Sequence, residues 1–432
     1  MSPVSPERAA PRRLAYVVWR FPKLSETFIL REIEELERLG WEVDVFAHVQ
    51  TDEKVRHPEA ERWLRRTTYR GRPGDMLLAN LTWLRDRPGD LLWLYGRVVH
   101  DLWREPGELA RGLMALFQAA LWARAIRRRG IGHVHAHFAR HPAVAALAMA
   151  RLAGVSYSFT GHSQDVHRYT AMQATKVRHA RFVVVIAHFL RDQYIARRVS
   201  ASDLAKVHVI RCGVDVAQYR SPPHDRGDGP VVLLTVARLI EFKGLIYLIE
   251  ACRLLVERGH DVRCHIIGDG PLRAELQRRV DWSGLGGRVV LHGPKPQAEV
   301  RRVLADPATV VPDAAAPRAS MFVLPSIVGA DRSMEGVPVS LMEAMASGLP
   351  VVATRTGGIR ELVEHGRTGL LVEQKDATAL ADAIARLAGD VGLARRLAAA
   401  GRQKVEAEFD LRRNVERLSE LFAHACDGVS HY

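Results

Sequence analysis

Along most of the chain, short continuous apolar runs alternate with longer stretches of helical period, separated by turn residues. The first run, Leu14–Trp19, reads as a strand buried on both faces. A helical pattern from Ser25 to Leu39 follows, Gly40 ends it, and a second strand is predicted over Glu42–Ala47. Strand, helix and strand in one short span form a βαβ unit, and its repetition implies a parallel sheet covered on both sides. Further strands are expected at His133–His137, Ser156–Thr160, Phe182–Ile186 and Val207–Arg211. Ser221–Pro230 has the composition of a linker. Beyond it the alternation restarts with strand Val231–Ala237, helix Gly244–Gly259, strand Arg263–Gly268, helix Pro271–Trp282 and strand Arg288–His292. Strand Met321–Pro325, helix Val337–Ser347 and strands Pro350–Thr354 and Gly369–Val372 come next. Helices fill Ala377–Glu408, and a last one runs from Asp410 to about Ala425.

The expected fold is therefore α/β, with two Rossmann-like doubly wound parallel-sheet domains facing a cleft. The bounds are 1–219 and 220–409, and the terminal segment 410–432 is expected to pack back on the first domain. Ligands in such sheets bind outside the carboxyl ends of the strands. One stretch breaks the pattern. Residues 75–128 are helical throughout and rich in Trp83, Trp93, Trp103 and Trp122 beside Arg85, Arg97, Arg111, Arg124 and Arg127–Arg129. Such a composition suits a membrane-surface face. It equally suits helices that pack on the sheet with arginines reaching out to water, which is the preferred reading.

Composition narrows the class. The chain has 432 residues, which favours two or three domains. Its longest apolar candidate, Ala143–Val155, carries Arg151 and falls short of the roughly 20 residues that span a bilayer. Met1–Arg13 has charges and prolines but no apolar core of a secretory signal, so a cytoplasmic protein is expected. Cys212, Cys252, Cys264 and Cys426 are scattered without metal-ligand spacing, and read as reduced. The formal charge of +13 lies entirely in the first half. Residues 1–220 hold 35 Lys and Arg against 22 Asp and Glu, whereas residues 221–432 hold 27 of each. A basic domain joined to a neutral one points to contact of the first with an anionic surface, and peripheral association with the inner face of the plasma membrane is the corresponding expectation.

The most specific chemistry lies in Met334–Thr354. Glu335 and Gly336 end a loop, Pro338 suits a first helical turn, and Gly348 can cap the helix end. The turn Gly336–Val337–Pro338 thus points free backbone N–H groups outward, a ready anion site. Glu335 can bond sugar hydroxyls. Glu343 lies about 7.5 Å along the helix from Pro338 at 1.5 Å per residue, within reach of a ribose. Arg238 and Lys243, at a strand-to-helix turn, suit a diphosphate and would stabilise charge on a leaving nucleotide. No G-x-G-x-x-G occurs, so a dinucleotide cofactor is not indicated.

On these residues the sequence resembles the retaining glycosyltransferases of family 4, with the GT-B fold and the E-x7-E motif of Glu335 and Glu343. Phe21–Phe28, His135–Phe138, Ser158–Asp165 and Asp331–Pro338 resemble the colanic-acid and exopolysaccharide branch. The resemblance implies that Arg238 and Lys243 replace a metal, so neither metal nor cofactor is expected. It places Gly268, Gly270, Pro294 and Lys295 near the nucleobase, and His162 against the donor sugar. Ser25, Glu26, His137 and Asp165 fall on the acceptor side. His133, His135, His137 and His141 invite a metal reading, since alternate strand residues share a face. With no carboxylate or cysteine adjacent in sequence, that reading is not adopted.

The implied reaction is hexosyl transfer from a UDP- or GDP-sugar to a hydroxyl of a saccharide, lipid-linked, with retention by front-face attack. No residue identifies itself as a covalent nucleophile. The alternatives are a sugar-nucleotide epimerase or phosphorylase of similar fold, or a non-catalytic basic protein binding lipid or nucleic acid. Nucleic acid is not an expected partner.

Overall fold

The computed structural model describes residues 12–23, 26–51, 60–219, 229–310 and 319–427. The chain divides into two compact units, Met1–Ile210 with Arg412–Tyr432, and Arg211–Leu411.

The first unit is built on a parallel seven-stranded sheet. Its strands are β1 (Arg13–Phe21), β2 (Glu42–Gln50), β3 (Thr67–Thr68), β4 (His133–His137), β5 (Ser156–Gly161), β6 (Phe182–Val185) and β7 (Val207–Val209), in the order β3-β2-β1-β4-β5-β6-β7. Helix α1 (Thr27–Arg38) links β1 to β2, and Gly40 follows its end with φ of 89°. Between β3 and β4 the helical stretch separates into α3 (Pro73–Asp86), α4 (Pro88–Leu102) and α5 (Pro106–Arg129), after the short α2 (Ala60–Arg66). Each of the three begins with Pro in its first turn. Proline is pre-organised for that position and lacks the N–H that a helix start leaves unpaired, so Pro73, Pro88 and Pro106 set the breaks. Helix α6 (His141–Ala153) is buried on nearly every face, which explains why its sequence reads as one long apolar run. The terminal helix Leu411–Asp427 closes this unit. Trp41 Nε1 donates to Ser419 Oγ at 2.8 Å, and Phe422 stacks edge-on to Tyr16 and His135.

The second unit repeats the plan with β8 (Val231–Val236), β9 (Val262–Ile267), β10 (Val289–Gly293), β11 (Ala319–Leu324), β12 (Val351–Thr354) and β13 (Leu370–Val372), ordered β10-β9-β8-β11-β12-β13. All pairings are parallel. Its core packs Leu233, Ile266 and Met321 of the sheet against Leu248 and Ile249 on one helix and Ile384 on another. Between Asp306 and Ser320, Pro307–Val310 forms a single 3₁₀ turn and β11 begins at Ala319; residues 311–318 lie outside the described ones.

In both sheets the strand order reverses once, between β1 and β4 and between β8 and β11. At such a switch point neighbouring loops leave in opposite directions and open a crevice beyond the strand ends. Glu26 follows β1, Arg238 and Lys243 follow β8, and Glu335 follows β11, on those loops.

Candidate active site

In the second unit, the loop after β11 and the turn after β8 bring the central pair together. Lys243 Nζ makes a short ion pair with Glu335 Oε1, and Ser326 Oγ donates to the same oxygen at 2.8 Å. Both charges are nearly withdrawn from water, with side chains 11% and 7% exposed. The loop is tied to its neighbour by main-chain and side-chain bonds: Ile327 N–H to Phe242 O at 2.8 Å, and Ala330 N–H to Glu241 Oε1 at 3.1 Å. The β12 turn packs just as closely. Gly357 has φ of +45°, and a Cβ there would lie 2.1 Å from the Glu335 carbonyl oxygen. Gly358 N–H donates to that same oxygen at 3.3 Å. Only a residue without a side chain lets the two loops meet.

Helix Val339–Ala346 follows, with Pro338 at its N-cap, one position earlier than the first-turn site expected. Gly336 is half-buried and Val337 and Pro338 are buried. Glu343, on the second turn, is 4% exposed; Tyr219 OH and Gln297 Nε2 each donate to its Oε1 at 2.8 Å. Arg238 is exposed at the end of β8, and among the described residues its guanidinium makes no ion pair. Gly268 (φ +138°) ends β9, and a Cβ would lie 1.9 Å from Ala237 O, so the β8 and β9 ends touch there. Gly270 packs on Leu239 O, Pro294 is exposed, and Lys295 pairs with Glu299 at 2.8 Å.

The first unit gathers a second set at the β1, β4 and β5 ends. His137 Nε2 lies 3.0 Å from Glu32 Oε1, which also accepts from Tyr16 OH at 2.6 Å. A carboxylate only accepts, so His137 carries a proton on Nε2; its Nδ1 lies 3.0 Å from His162 Nε2. His162 is buried between Phe28 and Phe138, each with ring centroid 4.7 Å from its own. Burial pushes the His162 imidazole well below its ordinary pKa, with His137 adding to the effect.

Asp165 differs from its expected acceptor-side contact. Its carboxylate turns inward and accepts from the backbone N–H groups of His162 (3.1 Å), Ser163 (2.8 Å) and Ala139 (2.7 Å). Lys176, wholly buried nearby, donates to Ala139 O; burial lowers its pKa to about 8 against the pull of Asp165. Asp165 therefore shapes the turn that presents His162. Asp165→Ala is expected to leave three buried N–H groups unpaired and cost roughly 3 kcal/mol. At 2–4 °C per kcal/mol this lowers Tm by about 6–12 °C; an unchanged melting curve would refute the role. Glu26 pairs with Lys23 at 2.6 Å at the start of α1. Ser25 lies outside the described residues.

The other histidines form a ladder across β4 and β5. Ser156 Oγ donates to Ala425 O at 3.2 Å, which spends its one proton, so it accepts from His133 Nδ1 at 2.7 Å. By the same count Ser158 Oγ donates to His133 Nε2 and accepts from His135 Nδ1, both at 2.7 Å, and Thr160 Oγ1 donates to His135 Nε2 at 3.0 Å. Both rings are thus neutral with the proton on Nδ1. Glu32, His135 and His137 offer ligand atoms within 4.8 Å of one another. A cation there would have to displace Ser158 or Thr160 from His135, and His162 or Glu32 from His137.

Comparison with known proteins fits this geometry. The model for glycosyl transferases group 1 matches residues 220–404, and that for Glycosyltransferase Family 4 matches residues 25–218. The amylovoran biosynthesis glycosyltransferase AmsK of Erwinia amylovora is 31% identical over 95% of this chain and 98% of its own length. This chain is a family 4 glycosyltransferase. The putative colanic acid biosynthesis glycosyltransferase WcaL of Escherichia coli K12 is also 31% identical, over 92% of this chain and 96% of that protein. Among solved structures, Anabaena Alr3699/HepE in complex with UDP superposes with a TM-score of 0.69 at 17% identity, covering 96% of this chain and 100% of that one. The glycosyltransferase therefore has the GT-B fold, two Rossmann-like units in one chain.

Some residues that build this site carried no motif of their own. Ser326, Gly357 and Gly358 complete the Glu335 loop; the Gly pair separated by two residues from a predicted strand was the available signal. Glu32, Tyr16, Tyr219 and Gln297 had none, because each acts on a partner far away in sequence.

Proposed function

We propose that this glycosyltransferase moves a hexosyl unit from a UDP- or GDP-sugar to a hydroxyl of a lipid-linked saccharide, with retention and without a metal. The observation that carries the reading is the buried Lys243–Glu335–Ser326 cluster at the β8/β11 switch point, directly before the turn at 336–338, with exposed Arg238 on the same post-β8 turn as Lys243. A cation and a carboxylate held together in a dry site are suited to a ligand that presents anion and hydroxyls side by side. In this reading Arg238, Lys243 and the amides of Gly336 and Val337 hold the diphosphate, and their positive charge stabilises the leaving nucleotide without a metal ion. Glu335 and His162 bond the sugar. Glu343, oriented by Tyr219 and Gln297, takes the ribose, and the turns at Gly268, Gly270, Pro294 and Lys295 border the base. Glu26, His137 and Ser25 belong to the acceptor side. The acceptor hydroxyl attacks the anomeric carbon from the face the phosphate leaves, and the phosphate oxygen takes its proton.

Synthesis of an exopolysaccharide or other cell-surface glycan is supported by the names of the AmsK and WcaL relatives. Such a role suits a protein at the inner membrane face. Among the described residues, no helix is long and apolar enough to cross a membrane.

The test is thermal stabilisation and turnover with a panel of UDP-, GDP- and ADP-sugars in the presence of EDTA. A ligand that binds only the native state at a hundred times its Kd stabilises by about 2.7 kcal/mol. One donor series should do so and name the base. Indifference to every donor would overturn the reading, and turnover that collapses with EDTA would overturn its metal-free part.

A further inference from the structure

The aromatic residues of the helical stretch are mostly packed: Trp83 and Trp122 are buried, and Trp93 lies under the Arg151 guanidinium at 4.2 Å. The leucines are not. On α3, Leu77, Leu78, Leu81 and Leu84 are 44–59% exposed, although Met76, Ala79 and Trp83 bury the opposite side. Positions 77, 81 and 84 follow the i, i+4, i+7 spacing of one helical face. On α4, Leu91, Leu94 and Val98 point inward while Leu92 and Val99, seven residues apart, are 62% and 45% exposed. Trp103, directly after α4, is 61% exposed with Arg104 at 4.7 Å from its ring. Seven of the nine large apolar side chains found exposed among the described residues thus fall between positions 77 and 103.

Both helices thus bury one apolar face and leave a second set of large apolar side chains in water, an arrangement that marks an interaction surface. The rest of the surroundings indicates what covers that second set. The hairpin's own charges are largely compensated: Arg85 pairs with Asp86, Arg87 with Asp90 and Arg97 with Asp101. The half of the chain that carries the hairpin nevertheless has a net charge of +13. An uncharged leucine face on a strongly cationic body complements a surface that is anionic outside and hydrocarbon beneath. The Trp103–Arg104 step supplies an amphipathic ring beside a cation, as interfacial segments do. We infer that the α3–α4 hairpin is a lipid-docking element that lays Leu77, Leu78, Leu81, Leu84 and Leu92 into the headgroup boundary of an anionic phospholipid bilayer. This deepens the lipid-linked acceptor reading by naming the surface that meets the membrane, and its test is read without any sugar donor.

The full chain would be floated with vesicles of phosphatidylcholine and phosphatidylglycerol in equal parts, and with phosphatidylcholine alone, at low and high salt. The wild type should be retained on the anionic vesicles at low salt and at least tenfold less by the neutral ones, with retention falling as salt rises. Leu78→Glu/Leu81→Glu should lose retention at least tenfold with an unchanged Tm, since both side chains face solvent. Wild type that stays off anionic vesicles, or a double variant that binds them as tightly, overturns the inference. So does a wild-type dimer in light scattering that the double variant converts to monomer, which would assign the face to a second copy. Loss of donor stabilisation with vesicle binding intact would count against the sugar-transfer reading alone.

Discussion

Lys243→Ala is expected to lower turnover by roughly 10²–10³-fold, the usual consequence of removing one preorganised stabiliser of developing negative charge. It is also expected to abolish stabilisation by the donor. The same change strands Glu335 in a nearly dry site with Ser326 Oγ still donating to it, and breaking a buried pair from one side costs about 3–5 kcal/mol. Lost stability and lost catalysis must therefore be separated. Lys243→Ala/Glu335→Gln removes the stranded charge, so Tm should return toward the wild-type value while turnover stays low. If the double variant recovers both, Lys243 serves only to neutralise Glu335, and its part in holding the diphosphate is wrong. Steady-state kcat and KM beside a melting curve for each variant decide the matter.

The second large effect is on acid stability. Burial lowers the pKa of His133 and His48 to about 3 each, and shifts His135, His141 and His162 in the same direction. The sign follows from linkage. A histidine whose folded pKa is depressed binds a proton more readily when unfolded, so the stability it permits above its ordinary pKa of 6.5 is lost as pH falls toward the folded value. His133 and His48 alone withdraw roughly 4 kcal/mol between pH 7 and pH 5. Unfolding free energies from urea titration should drop by at least that much over this interval. They should fall less in His133→Gln, whose amide does not titrate. A flat profile from pH 7 to 5 would mean that the ladder admits protons while folded, contrary to the tautomers its hydroxyl partners impose.

The pH effect shows where sequence reading stops. Alternate histidines on β4 share a face by strand geometry alone, and that much is visible in His133–His137. Their partners are not. Ser158 meets His133 and His135 because β5 pairs with β4 in the register His135↔Ser158, and register is settled by the packing of the whole sheet. The same holds for Glu32, placed beside His137 by the way α1 crosses the sheet although 105 residues separate them.

Local order was legible almost to the residue. The strands at Val231 and Phe182 start where their apolar runs start, because a strand buried on both faces is mostly apolar, whereas β4 and β5 interleave His, Ser and Thr with apolar residues and bury these polar groups only by pairing them with each other. The Glu335–Glu343 spacing and the Gly–Pro turn between them likewise carried the glycosyltransferase reading, since a loop-to-helix junction is written in adjacent residues. The three helices of residues 73–129 were legible as helix but not in their environment. Periodicity reports that Leu77, Leu81 and Leu84 share a face; it cannot report that no part of the described chain covers that face. Nor could it show Tyr219 donating to Glu343 across 124 residues, or Ser326 and the carbonyl contacts of Gly357 closing around Glu335. Hydrophobic period and turn chemistry act between near neighbours, so elements and motifs follow from the chain alone. Partners, burial and protonation states depend on contacts between distant segments, and those exist only once the sheets have assembled.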